Sequence, residues 1–252
     1  MTDSLDPKDF KTLRLAAHKM LNAALDKMEQ ASDGPVWHPL PDQMKQALKT
    51  PLPRQGCGLG STQTRLQGLL PYGVGNTHPR FFGWVHGAGS VGGLVAGMAE
   101  AAINANLGGR DHGAIYVEKQ VVDWVKEMFG FPDDASGLVV SGTSMATIIA
   151  LKVARDDRLD ARKGGVGAHR LVGYASDQAH NCVARAFDLL GLGSDALRLV
   201  PVNDAYEMDL AALAAMIETD KSLGFEPFLL VGTAGTVNVG AFDDLSALAD
   251  LA

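Results

Sequence analysis

The stretch LVVSGTSMATIIALKVAR, residues 138 to 155, opens on three apolar residues, turns at Ser141 and Gly142, and continues with helical character. Leu138, Val139 and Val140 read as a strand and residues 144–157 as a helix. The same succession recurs downstream: RLVGYA (170–175) before a helix at 178–190, LRLVPV (197–202) before 208–219, and PFLLVGT (227–233) before a helix from about Asp244. Strand–helix alternation predicts an α/β fold, a parallel or mostly parallel sheet with helices on both faces, joined by right-handed crossovers. Ligands of such sheets gather at the carboxyl ends of the strands, and SGTSMA (141–146) lies at one of them.

Two chemistries suit that turn. Gly142-Thr143-Ser144-Met145-Ala146 matches the G-x-S-x-G elbow of a serine hydrolase except at Ala146, which would make Ser144 a nucleophile. Alternatively the first N–H groups of the helix, with the hydroxyls of Thr143 and Ser144, receive a phosphate. A Ser or Thr at a helix start is also the ordinary N-cap. Two further strand ends add polar groups. After Ala175, SDQAHNC puts Ser176 or Asp177 at an N-cap and His180 in the first helical turn. After Thr233, AGTVNVGAFDD supplies Gly235, Thr236, Asn238 and Gly240 in a loop able to run close to a ligand, without the G-x-G-x-x-G spacing of a dinucleotide site.

Composition excludes other classes. Hydrophobic residues at 46% and charged residues at 20% describe a chain that folds around a core. A formal charge of -7 with scattered Lys and Arg offers nucleic acid no basic surface. The acidic start MTDSLDPKDF lacks the order of a signal peptide, and Cys57 and Cys182 form no CxxC, so a cytoplasmic protein is expected. Gly87 to Gly109 is interrupted by Glu100, Asn104 and Asn106 and reads as a closely packed helix rather than a membrane span. His78, His86 and His112 lack metal-ligand spacing and are assigned to loops, with no metal site. Ile115 to Phe129 forms a helix stopped by Gly130-Phe131-Pro132, with Glu118 on its solvated start.

The first 77 residues read as a helical arm and linker. Phe10, Leu13, Ala17, Met20, Leu21, Ala24, Leu25 and Met28 make one apolar helical face, with Asp6 as N-cap and Pro7 in the first turn. A short helix follows Pro41 and ends before Pro51, and Thr50 to Thr77, rich in Pro and Gly, reads as loops. An arm with so little core is expected to dock on a second copy of the chain.

HPRFFGWV (78–85), EKQVVDWVKEMFGFP (118–132), GTSMATIIALKVAR (142–155), YASDQAHNCVARA (174–186) and TAGTVNVGAFDDL (233–245) together resemble the pyridoxal-phosphate-dependent amino-acid decarboxylases of the aromatic-amino-acid and glutamate decarboxylase group, in that family's order and over nearly the whole chain. The resemblance implies the large-domain fold of aspartate-aminotransferase-like enzymes, with residues 78–252 its first part. It also implies pyridoxal 5'-phosphate as cofactor, Thr143 and Ser144 on its phosphate, His180 stacked on its ring, and Thr236 beside it. Phe81, Phe82 and Trp84 would line the substrate entrance, and an N-terminal arm would wrap the partner of a homodimer. The reaction implied is decarboxylation of an L-amino acid through an external aldimine and a quinonoid. The family's ring-nitrogen Asp and imine-forming Lys are expected beyond Ala252, and no Lys within the chain takes that place. The 252 residues alone are therefore expected to be inactive, as part of a longer enzyme or as a non-catalytic fragment.

Overall fold

The computed structural model describes residues 9–106 and 108–252, and the chain divides into two compact units, Met1–Asn106 and Leu107–Ala252. In the first, the apolar periodicity produces α1 (Phe10–Glu29). Asp6 and Pro7 lie outside the described residues; the helix is capped by Asp9, whose carboxylate accepts the Lys11 N–H at 2.8 Å. The short helix α2 (Asp42–Ala47) follows Pro41 as expected.

The stretch 50–77 departs from a set of loops, because α3 (Leu59–Leu69) forms within it. Its support comes from far along the chain: Gln63 Nε2 donates to the Ala16 carbonyl at 2.8 Å and Gln67 Nε2 to that of Lys19 at 3.4 Å, laying α3 along α1. Helix α4 (Val91–Ile103) starts at Ser90, whose hydroxyl accepts the Gly93 N–H at 2.9 Å, and ends at left-handed Asn104. None of its residues is buried, so the close packing expected of it is not present among the described residues. No described helix is long and apolar enough to cross a membrane.

The second unit begins with α5 (Gly113–Phe129), which ends at Gly130 with φ 67, as the Gly-Phe-Pro stop requires. Leu138–Val140 joins no sheet among the described residues, against the strand expected there. A strand needs a neighbour, and these residues find a helix instead. The half-buried Glu118 carboxylate accepts the Val139 N–H at 2.8 Å and Lys126 Nζ donates to the Asp133 carbonyl at 2.7 Å, so Glu118 has a partner rather than facing solvent alone. Helices α6 (Thr143–Arg158) and α7 (Ala161–Gly164) precede the sheet.

The sheet has three parallel strands, β1 (Leu171–Ser176), β2 (Leu197–Val200) and β3 (Glu226–Val231), in the order β2-β1-β3. Helix α8 (Cys182–Leu189) connects β1 to β2, α9 (Leu210–Ser222) connects β2 to β3, and α10 (Leu245–Leu251) follows β3. Pro201 has no N–H to continue the ladder, so β2 stops at Val200 rather than at residue 202, and Val202 makes an isolated antiparallel bridge with Met208.

Every residue of β1 is buried, because both its edges are paired and both its faces are covered. Alternation of side chains sends Ala175 to one face, against Leu151, Cys182, Val183, Ala186 and Phe187 of α6 and α8. Val172 and Tyr174 meet Val200, Met208, Leu213 and Leu248 on the other, under α9 and α10. Helices thus cover both faces of a parallel sheet, as the alternation of runs requires. Each fully buried large apolar side chain, such as Phe187 or Leu213, contributes roughly 1.5–3 kcal/mol. At Gly173 a Cβ would stand 2.7 Å from the Phe187 ring, so glycine sets how closely α8 approaches.

Candidate functional site

The carboxyl ends of β1 and β3 leave the sheet side by side, since Ala175 is paired with Val231. Thr143 and Ser144 stand at the start of α6, which packs on α8 through Leu151 and Ile148. The N-cap of α6 is Gly142, at φ 139, with no side-chain cap. Neither Thr143 nor Ser144 therefore acts as the N-cap. Both are exposed, and their hydroxyls bond to no described residue. The Met145 N–H already turns back to the Gly142 carbonyl at 3.1 Å, but the N–H groups of Thr143 and Ser144 have no acceptor among the described residues, and Gly142 leaves this turn uncovered by any side chain. Such a turn, carrying the positive end of the helix dipole and two hydroxyls, is suited to an anion. An elbow serine would need a base, and no histidine bonds to Ser144 among the described residues.

Thr147, one turn further on, donates to the Thr143 carbonyl at 2.9 Å, and its oxygen lies 3.6 Å from the buried Cys182 sulfur. At the far end of the same pair of helices, Arg155 donates to the Leu190 carbonyl at 2.8 Å. Helices α6 and α8 are thereby joined at both ends.

His180 sits before α8 rather than in its first turn. The chain leaves Ser176 through a turn, with the Ala179 N–H on the Ser176 carbonyl at 3.0 Å, and the helix begins at Cys182 after Asn181. Ser176 and Asp177 are consequently not its N-cap. The imidazole is exposed, and its Nδ1 accepts the Cys182 N–H at 3.2 Å. In the neutral ring the proton is then on Nε2, turned away from that bond.

The loop after β3 is a small hairpin. Thr236 and Ala241 exchange bonds at 2.9 and 3.0 Å, the second to the Thr236 hydroxyl, and Gly235 and Gly240 take positive φ. Thr236 is buried, its hydroxyl accepting one bond and keeping its own proton to donate. Asn238 is exposed. Asp243 carries no motif signal of its own in the sequence, yet its buried carboxylate accepts the Thr233 N–H and the Met208 N–H, both at 2.8 Å, tying this loop to the connection after β2. The only sequence signal was its place in AFDDL, since its partners are distant along the chain.

Phe81, Phe82 and Trp84 belong to the first unit. Phe81 makes an edge contact with His86 at 5.3 Å between ring centroids, whereas Phe82 and Trp84 are exposed and Trp84 has φ 49.

Fold and strand ends define an α/β domain that presents an anion-receptive helix start, a histidine and a structured loop along one side of a parallel sheet. The family model described as the pyridoxal-dependent decarboxylase conserved domain matches residues 41–252, and the chain belongs to that family. It is similar to the aromatic-L-amino-acid decarboxylase of Bacillus atrophaeus, 32% identical over 249 residues, which cover 95% of this chain and 50% of that protein. Among solved structures, mouse CSAD superposes with a TM-score of 0.86 at 25% identity, covering 96% of this chain and 53% of that one. The Oryza sativa TDC crystallised with PLP and tryptamine shares the fold with a TM-score of 0.83 at 24% identity, over 98% of this chain and 54% of that one. The chain spans about half the length of the curated relatives it matches.

Proposed function

We propose that the chain binds pyridoxal 5'-phosphate and supplies the phosphate and ring contacts of an enzyme that decarboxylates an L-amino acid. The observation that carries this reading is the first turn of α6, where Gly142 offers no cap and the Thr143 and Ser144 hydroxyls are left for a ligand. These hydroxyls and the adjacent N–H groups hold the phosphate. His180 would stack on one face of the pyridine ring, orienting it and keeping water from that face. The remaining hydroxyl proton of Thr236 is available to the cofactor from the neighbouring loop. Once bound, the cofactor supplies an electron sink for the carbanion left when CO2 departs.

The family membership is the ground for further assignments to the whole protein. The imine-forming Lys and the ring-nitrogen Asp lie beyond residue 252. Residues 78–252 are the first part of the cofactor-binding domain and residues 1–77 an arm that pairs two copies. Phe81, Phe82 and Trp84 help line the substrate entrance. A cytoplasmic location rests separately on the acidic start MTDSLDPKDF and on Cys57 and Cys182 forming no CxxC.

Titration of the protein with pyridoxal phosphate, followed by absorbance, tests the reading without requiring turnover. Ser144→Ala should weaken binding by about 1–3 kcal/mol, the loss of one charge-assisted hydrogen bond. Unchanged affinity in Ser144→Ala would defeat the phosphate assignment, and covalent labelling of Ser144 by a fluorophosphonate would favour the hydrolase.

A further inference from the structure

Cys182 touches both halves of the strand-end site. It is the first residue of α8, whose N-cap Asn181 makes no side-chain bond, and its N–H goes to His180 Nδ1 at 3.2 Å. Its thiol, on a buried side chain, lies 3.6 Å from Thr147 Oγ1. Thr147 follows Thr143 by one turn, on the same face of α6, and donates its single hydroxyl proton to the Thr143 carbonyl at 2.9 Å. The Thr147 oxygen therefore accepts, and the Cys182 thiol donates. A continuous path runs from the His180 ring through the N–H and S–H of Cys182 to the Thr147 hydroxyl and on to the carbonyl of Thr143.

Helices α6 and α8 do not need this path to stay together. Leu151 shares a core cluster with Val183, Ala186 and Phe187, Ile148 packs against that cluster, and Arg155 donates to the Leu190 carbonyl at 2.8 Å at the far end. A thiol bond is weak and adds little to such packing. Its effect is local, because it ties the first turn of α6 to the residue that holds the imidazole. A ligand that touches only the turn is indifferent to that tie. One that spans the turn and the imidazole is not, since its two contacts must be met at once.

We propose that Thr147 and Cys182 are positioning residues that set the His180 ring relative to the Thr143–Ser144 turn, so that the ring and the phosphate of one cofactor molecule are engaged together. The inference rests on the cofactor reading above, with Thr143 and Ser144 on the phosphate and His180 on the ring. Neither Thr147 nor Cys182 touches the cofactor; both act through the residues that do.

Two probes titrated into the full chain by calorimetry test it without turnover. Pyridoxine 5'-phosphate carries the ring and the phosphate but no aldehyde to react with lysines, and inorganic phosphate occupies the turn alone. Thr147→Val keeps the shape of the side chain and removes its hydroxyl, and Cys182→Ala removes the thiol. Each should weaken pyridoxine phosphate about tenfold, the loss of one positioning hydrogen bond, and leave inorganic phosphate within about twofold. Ser144→Ala should weaken both probes, because it acts on the turn itself. Cys182→Ser can still donate to Thr147 and should restore most of the affinity that Cys182→Ala loses, a rescue that packing alone would not give. Unchanged pyridoxine phosphate affinity in both Thr147→Val and Cys182→Ala would overturn the inference and leave the proposed function standing. Equal weakening of the two probes in these variants would do the same, as would a Cys182→Ser variant no better than Cys182→Ala. Pyridoxine phosphate bound no more tightly than inorganic phosphate by the unmodified protein would overturn the ring contact of His180, and the inference with it.

Discussion

Tyr174→Phe removes one hydroxyl from a buried network at the α9 face of the sheet. The Tyr174 hydroxyl donates to Asp220 Oδ2 at 2.8 Å, while Arg198 donates through Nε to the same oxygen at 3.1 Å and through a terminal nitrogen to Oδ1 at 3.1 Å. The substitution keeps the ring and its packing, and it leaves Asp220 paired with Arg198. The expected cost is that of a hydrogen bond to a charged group, about 1.5–3 kcal/mol. Asp220→Ala does more, because it strands the Tyr174 hydroxyl at 0% exposure and takes away the carboxylate partner of Arg198, and it should cost about 3–5 kcal/mol. Urea unfolding reads both as lower midpoints with unchanged slope. Burial opposes the charge on Asp220, but bonds from Arg198 and Tyr174 and the charges of Arg198 and Arg170 outweigh it and hold its pKa below the usual carboxylate value. A depressed folded pKa means that this stability is complete above the unfolded value of about 3.9 and is lost as pH falls through the lower folded value. The gap between the unmodified protein and Tyr174→Phe should hence be constant near neutrality and narrow in acid, towards the smaller value of a hydrogen bond to a neutral carboxyl. A Tyr174→Phe variant as unstable as Asp220→Ala, or a gap that does not narrow once Asp220 is protonated, would refute the account.

If the proposed function holds, with His180 orienting the cofactor ring and the phosphate turn anchoring it, His180→Ala should lower turnover of the whole enzyme more than it lowers pyridoxal phosphate retention; kcat and cofactor Kd measured side by side check this, and equal losses would leave His180 a structural role only. Gly173→Ala should destabilise by about 1–3 kcal/mol, because its Cβ meets the Phe187 ring at 2.7 Å and the Leu229 Cβ at 3.2 Å. Phe187→Leu in the same chain should recover part of that loss in thermal unfolding, and additive losses would show that the two sites do not touch.

The sheet was legible because its three strands are short apolar runs bounded by turn residues, and each is followed by a helical stretch long enough to cross back. Leu138–Val140 has the same local signal and is not a strand, since pairing belongs to the neighbour and not to the run. Helix α3 was hidden by its Gly-rich surroundings, and its stabilising bonds come from Gln63 and Gln67 reaching carbonyls in α1. At the strand ends, residue types suggested an anion site at Thr143 and Ser144, but the missing side-chain cap is a property of geometry. His180 was placed one turn too deep because its own Nδ1, by taking the Cys182 N–H, helps to set where α8 begins. Asp243 could not be found at all from spacing, as it joins residue 208 to residue 233.

Asp243 has a thermodynamic consequence for whatever the strand ends receive. A loop of Gly235, Thr236, Asn238 and Gly240 would ordinarily sample many conformations and lose them when a ligand arrives. Here two backbone N–H bonds to one buried carboxylate, together with the Thr236–Ala241 exchange, fix the loop while the chain folds. The entropy of ordering is spent then, so that association at the strand ends carries a smaller penalty and the affinity of a ligand reflects its contacts more directly.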